Sequence, residues 1–135
     1  MDNHRKTLAL ESPRIYRILI VDDEEGIRLT LKFGLQKIKG YEIETTCNGL
    51  EALQILERSL FDLVITDYMM PEMNGLTLLG HIQKNQPDMP VILISAYQNQ
   101  LIEKQATDGT IQHFLHKPVS LKTIRQLVSE VLQIE

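Results

Sequence analysis

The chain has 135 residues, the size of one ordinary domain, and 43% of them are hydrophobic, enough for an aliphatic core that needs no tryptophan. A net charge of −4 argues against nucleic acid or an anionic membrane as this domain's direct partner, and no apolar run is long enough to span a bilayer. The lone Cys47 excludes an internal disulfide and suits a reducing compartment, so a cytoplasmic protein is the expectation.

Residues 1–14 are polar and lack the apolar stretch of a signal peptide. They read as a loose leader to one domain over 15–135. Tyr16–Val21 (YRILIV) predicts a strand. Glu24–Ile38 predicts a helix with Ile27, Leu31, Leu35 and Ile38 on one face, ended by Lys39-Gly40 with Gly40 as a left-handed cap. Tyr41–Cys47 is rich in strand formers, and Cys47 reads as a small apolar filler there. Asn48-Gly49 predicts a turn, and Leu50–Arg58 a second helix burying Leu53 and Leu56. Phe61–Thr66 predicts the third strand and Leu76–Lys84 the third helix. A rigid loop over Gln86–Pro90 leads to a fourth strand, Val91–Ser95. Asn99–Thr107 reads as a short fourth helix anchored only by Leu101 and Ile102, and Ile111–His116 as a fifth strand. Ser120 looks like the N-cap of a last helix carrying Leu121, Ile124, Leu127, Val128, Val131 and Leu132 at helical spacing.

Strands and helices alternating in this way imply an α/β domain, a parallel sheet covered on both faces. The strands themselves support this, because LVIT before Asp67 and VILI before Ser95 show no polar alternation. In such sheets the functional cleft lies at the carboxyl ends of the strands. Strand one ends in Asp22-Asp23-Glu24-Glu25, strand three on Asp67, strand four on Ser95-Ala96 and strand five in His116-Lys117-Pro118. Each has a plain structural role when taken alone. Acids favour a helix start, Ser95 and Asp67 suit turns, and Lys-Pro is an ordinary loop pair. Together they place two or three carboxylates, a hydroxyl and an ammonium on one rim.

Clustered carboxylates need a cation or raised pKa values at neutral pH. Oxygen ligands, with no Cys or His at ligand spacing, favour Mg²⁺ over zinc. His113 and His116 would point to opposite faces of their strand. A lysine and a hydroxyl opposite the cation would hold phosphoryl oxygens, and an aspartate can itself act as a nucleophile and form an acyl phosphate.

From Tyr16 to Leu132 the chain resembles the receiver domain of two-component response regulators. The likeness is carried by ILIVDDEEGIR, DLVITDYMMPEMNGL, VILISAY and FLHKP. It implies a flavodoxin-like (βα)5 fold with strand order 2-1-3-4-5 and helices on both faces. Asp67 resembles the phospho-acceptor. Asp22 and Asp23 resemble the acidic pair that holds Mg²⁺, Asp23 directly and Asp22 through water, with Asp67 and the backbone carbonyl of Met69 completing the set. Lys117 is similar to the lysine that pairs with the phosphoryl group, with a cis bond to Pro118. Ser95 is similar to the hydroxyl residue that follows the phosphate, and Phe114 to the switch aromatic.

The resemblance further implies a donor, either a histidine kinase or a histidine phosphotransfer protein. It implies a signalling switch rather than an enzyme, with only self-catalysed phosphoryl transfer and slow autodephosphorylation. The fourth helix, fifth strand and fifth helix would present the output surface, and phosphorylation-dependent homodimerisation fits the same family. The family usually carries Gly-Ala shortly before the switch aromatic. Here Thr110-Ile111 stand there and Gly109 comes one place early, so the end of the fourth helix is expected to sit differently. Met69 and Tyr97 flank the site, and their bulk is expected to restrict water and slow phosphate loss.

Two other classes share parts of this pattern. A phosphatase that forms an aspartyl phosphate needs a second Asp two residues after the nucleophile, where Met69 stands. A flavin or nucleotide module would need glycine-rich phosphate loops at the first strand ends, which are acidic here. A degenerate receiver would lack some of the residues that are all present.

Overall fold

The computed structural model describes residues 14–96 and 100–134. All of the expected leader but Arg14 lies outside that range, as do Tyr97 and Asn99, and the side chain of Leu101 is likewise not described. The elements run β1 (Tyr16–Val21), α1 (Glu25–Gln36), β2 (Tyr41–Thr46), α2 (Gly49–Arg58), β3 (Leu63–Asp67), α3 (Gly75–Asn85), β4 (Val91–Ser95), α4 (Gln100–Thr107), β5 (His113–His116) and α5 (Leu121–Val131). The five strands pair in parallel in the order β2-β1-β3-β4-β5.

The unbroken apolar strands are explained by cover on both faces. Leu19, Val21, Val64 and Leu93 face one layer and pack with α2, α3 and Ile102 of α4. Ile18, Ile20, Leu63, Ile65, Ile92 and Ile94 face the other and pack with α1 and α5. Each fully buried aliphatic side chain contributes about 1.5–3 kcal/mol. Together they hold the sheet rigid enough to carry buried acids at its rim.

Helix starts follow the capping rule. Asn48, Asn74 and Ser120 accept from the amides of Glu51, Thr77 and Thr123 at 2.8, 2.9 and 3.1 Å. Asn48 is therefore the cap of α2, with Gly49 already helical, rather than half of a separate turn. α1 starts at Glu25 without a side-chain cap, because Asp22 Oδ1 holds the Glu24 amide outside the helix at 2.9 Å. It ends at Gln36, short of the expected Ile38, and the left-handed Gly40 (φ 95°) turns the chain into β2 instead of capping the helix.

Other boundaries also differ from expectation. β3 begins at Leu63, since Asp62 is engaged with Arg14 and with the Arg17 amide at 2.6 and 2.8 Å. Leu53 is only half-buried, while Leu56 is buried. Ile111 precedes β5, yet it is buried in the core, reached through the left-handed Gly109 (φ 90°). Cys47 lies just past β2 and is exposed, 3.5 Å from Glu51 Oε1, so it fills no core space. Among the described residues no helix is long and apolar enough to cross a membrane.

Candidate functional site

Asp22 and Asp67 sit at the carboxyl ends of the adjacent central strands β1 and β3, and both are buried. The ladder bond from the Asp22 amide to the Thr46 carbonyl (3.2 Å) and the Arg28 guanidinium on the Asp22 carbonyl (2.8 Å) fix this corner of the backbone. Asp67 is the last residue of β3, and the Tyr68 amide still bonds across to the Ile94 carbonyl at 2.8 Å. The loop then turns back so that the Gly75 amide reaches the Tyr68 carbonyl at 2.7 Å. A Cβ at Gly75 would collide with the Asp67 carbonyl and with Leu93 and Tyr68. Glycine is therefore demanded there by close approach, not by its dihedral angles. Met70 is buried in the core and Met73 packs over Gly49, both serving the loop's packing. Met69 is 48% exposed beside them.

Lys117 follows β5, and its amide bonds to the Ser95 carbonyl at 2.9 Å. Its peptide bond to Pro118 is cis. The ammonium lies 3.1 Å from Asp67 Oδ1, 3.5 Å from Glu24 Oε1 and 3.8 Å from Asp22 Oδ2. The contact with Asp67 is a close ion pair to a buried carboxylate oxygen. Ser95 is buried at the end of β4, one residue beyond the Ile94 that pairs with Asp67. Phe114 is half-buried in β5 and packs on the core layer that holds Ile102.

Burial sets the electrostatics. It pushes the Asp22 carboxyl up to about 6, with the Glu24 amide opposing and the Asp67 charge adding. Burial also raises Asp67 despite its contact with Lys117, and the nearby Asp23 charge raises it further. Burial alone would lower Lys117, but the Asp67, Asp22 and Glu24 carboxylates outweigh it and raise its pKa.

Carboxylate oxygens of Asp22, Glu24 and Asp67 lie within 4.8 Å of one another. Asp23 is exposed and is not part of that cluster, although its charge is felt at Asp67. Glu24 is the member the sequence did not single out as a ligand. Its signal was present in the run of acids after β1, but only the structure shows which of them brings an oxygen close to Asp22 and Asp67. Two buried carboxylates and the exposed Glu24 facing one ammonium leave excess negative charge at this rim. A divalent cation that prefers hard oxygen ligands suits this donor set.

Beside Lys117 a groove of about 720 Å³ runs along α1, lined by Ile27, Leu31, Ile94, Val119 and Leu121 among others. Leu29 and Phe33 are exposed on α1 nearby in sequence.

The chain matches the response regulator receiver domain family over residues 18–129. It is 38% identical over 116 residues to the transcriptional regulatory protein GlrR of Escherichia coli, covering 86% of this chain but 26% of GlrR. The chain thus spans about a quarter of that relative's length. It is 34% identical over 120 residues to sporulation initiation phosphotransferase F of Bacillus subtilis, covering 88% of this chain and 95% of that protein. Among solved structures it resembles the response regulator protein TrrA of Thermotoga maritima in complex with Mg²⁺-BeF. There the TM-score is 0.76, the identity 36%, and the coverage 87% of this chain and 99% of TrrA. With its strand order, its acid-rich rim and these matches, the chain belongs to the family of response regulator receiver domains.

Proposed function

We propose that the domain is a phosphorylation-activated switch in which Asp67 accepts a phosphoryl group from a histidine kinase or a histidine phosphotransfer protein. The observation that carries this is a buried strand-end carboxylate with an ammonium 3.1 Å away and two further acids beside it. A carboxylate oxygen of Asp67 forms the new bond to phosphorus. The donor's P–N bond breaks, and its imidazole leaves with the bonding pair. Lys117 offsets the charge that builds on the phosphoryl oxygens. Asp22, Asp67 and Glu24 would hold Mg²⁺, with Asp23 and the Met69 carbonyl as the further ligands the family pattern implies. When bound, the ion supplies charge neutralisation at the transferring group.

Ser95 and Phe114 are the proposed switch pair. A phosphoryl group on Asp67 draws the Ser95 side chain inward, and Phe114 turns into the space released. The surface of α4, β5 and α5 changes with it, as a population shift between two packings. That surface would engage an output domain or partner and is where phosphorylation-dependent homodimerisation would occur. The apolar groove along α1 and the exposed Leu29 and Phe33 suit docking of the phosphodonor next to Lys117.

Borohydride trapping tests the acceptor. Reduction of an acyl phosphate converts its aspartate to homoserine, so peptide mapping after incubation with acetyl phosphate and Mg²⁺ should place homoserine at position 67. Homoserine at Asp22 or Asp23, or none at all, would overturn the assignment.

A further inference from the structure

On the exposed side of the proposed switch, His116 packs on one of its moving parts and is the cross-strand neighbour of the other. The parallel ladder between β4 and β5 pairs Leu93 with Phe114 and Ser95 with His116. Residues two apart on a strand share a face, so Ser95, Phe114 and His116 lie on one side of the sheet. The rings of Phe114 and His116 pack edge to face, with centroids 4.8 Å apart and planes at 84°. Phe114 is half-buried against the layer containing Ile102 and Ile111, and His116 stands exposed at the outer end of the same row.

We infer that His116 is a positioning residue for the switch, coupling Ser95 to the ring of Phe114 and holding that ring in the conformation seen here. The inference rests on the proposed roles of Ser95 and Phe114. An edge-to-face pair is favourable beyond the area it buries. Turning Phe114 away from His116 breaks this pair, so in the chain without a phosphoryl group the pair biases the population toward the arrangement seen here. Ser95 is the cross-strand neighbour of His116. A shift of Ser95 toward Asp67 would therefore act on the strand position directly beside His116.

The test uses the whole chain, with beryllofluoride and Mg²⁺ as the phosphoryl mimic and the Phe114 ring resonances as the readout. His116→Ala should move the titration midpoint to lower beryllofluoride by roughly 2- to 12-fold, the range expected for losing one aromatic pair. His116→Phe should restore the wild-type midpoint, which a general loosening of β5 would not do. Matching amide spectra of the variants confirm the fold, as expected for an exposed side chain. If Phe114 does not respond in the wild-type chain, the switch reading itself fails. If it responds there but the midpoint in His116→Ala is unchanged or moves to higher beryllofluoride, only the role of His116 fails. Failure of His116→Phe to restore it also rejects that role.

Discussion

The Lys117 ammonium stands 3.1 Å from Asp67 Oδ1, although fifty residues separate the two in sequence. The sheet brings them together. Asp67 ends β3, and the Lys117 amide is tied to the Ser95 carbonyl at the end of the intervening β4. Among the described residues this lysine is also the one cation within 4 Å of the Asp22 and Glu24 carboxylates, since Arg28 reaches only the Asp22 backbone carbonyl. Replacing it with methionine leaves buried carboxylates unpaired. Lys117→Met is expected to cost about 1–3 kcal/mol of stability near neutral pH. The loss should shrink at acid pH, where Asp22 and Asp67 take up protons. Urea unfolding at the two pH values checks this, and an equal loss at both would contradict it.

The acidic corner makes metal-free stability depend on pH. Asp22 titrates at about 6 when folded, against an ordinary 3.8. Between those values the folded chain binds a proton that the unfolded chain has released, so stability falls as pH rises through that window. At 1.36 kcal/mol per pH unit the fall amounts to about 1–3 kcal/mol for this group. The raised pKa of Asp67 acts with the same sign. Denaturant midpoints should therefore drop across the window, and Asp22→Asn should flatten the curve. Saturating Mg²⁺ should recover most of the loss at neutral pH and little of it at the acid end. A flat profile in the metal-free wild-type chain would refute this electrostatic picture.

Gly75 is the steric linchpin of the acceptor loop. A methyl group there meets the Asp67 carbonyl, Leu93 and Tyr68, of which two contacts are backbone and cannot swing aside. Gly75→Ala should destabilise the fold by about 1–3 kcal/mol, as overpacking does. It should also shift the Asp67 amide resonance. By contrast Gly80→Ala has open space around its new methyl and should be tolerated, with a small gain from helix propensity. Thermal unfolding of the pair separates steric demand from glycine content.

Met69, half exposed two residues past Asp67, offers a handle on phosphate lifetime. If Asp67 carries the proposed acyl phosphate, the bulk of Met69 beside it would limit the approach of water. Met69→Ala should speed loss of the phosphoryl group by about 2- to 5-fold, less than 1.4 kcal/mol of barrier. Decay of the phosphorylated mass with time measures it, and an unchanged or slower decay would remove Met69 from this role.

Much of this was legible in the sequence because the strands are extreme. Runs such as YRILIV and VILIS, with apolar residues facing both ways, fix β1 and β4 to the residue. The cap Ser120 marks α5 through a local hydrogen bond, whereas the equivalent cap Asn74 of α3 emerged only in the structure. Boundaries set by long-range partners were not legible. Asp62 leaves β3 because Arg14 and Arg17 claim it. A local bond was not legible either, since Glu24 stays outside α1 because Asp22, two residues earlier, accepts from its amide. Nor did the run of acids after β1 reveal that the carboxylate of the exposed Glu24 lies close to those of Asp22 and Asp67. Gly40 illustrates the reverse case, a real left-handed residue assigned to the wrong task.

The central claim is that Asp67 accepts a phosphoryl group in a Mg²⁺-dependent reaction. Intact mass after incubation with acetyl phosphate, with and without Mg²⁺, tests it on the wild-type chain and on Asp67→Asn. A gain of one phosphoryl group that needs Mg²⁺ and vanishes in Asp67→Asn is the predicted result. No gain despite Mg²⁺ binding, or a gain that survives in Asp67→Asn, would contradict it.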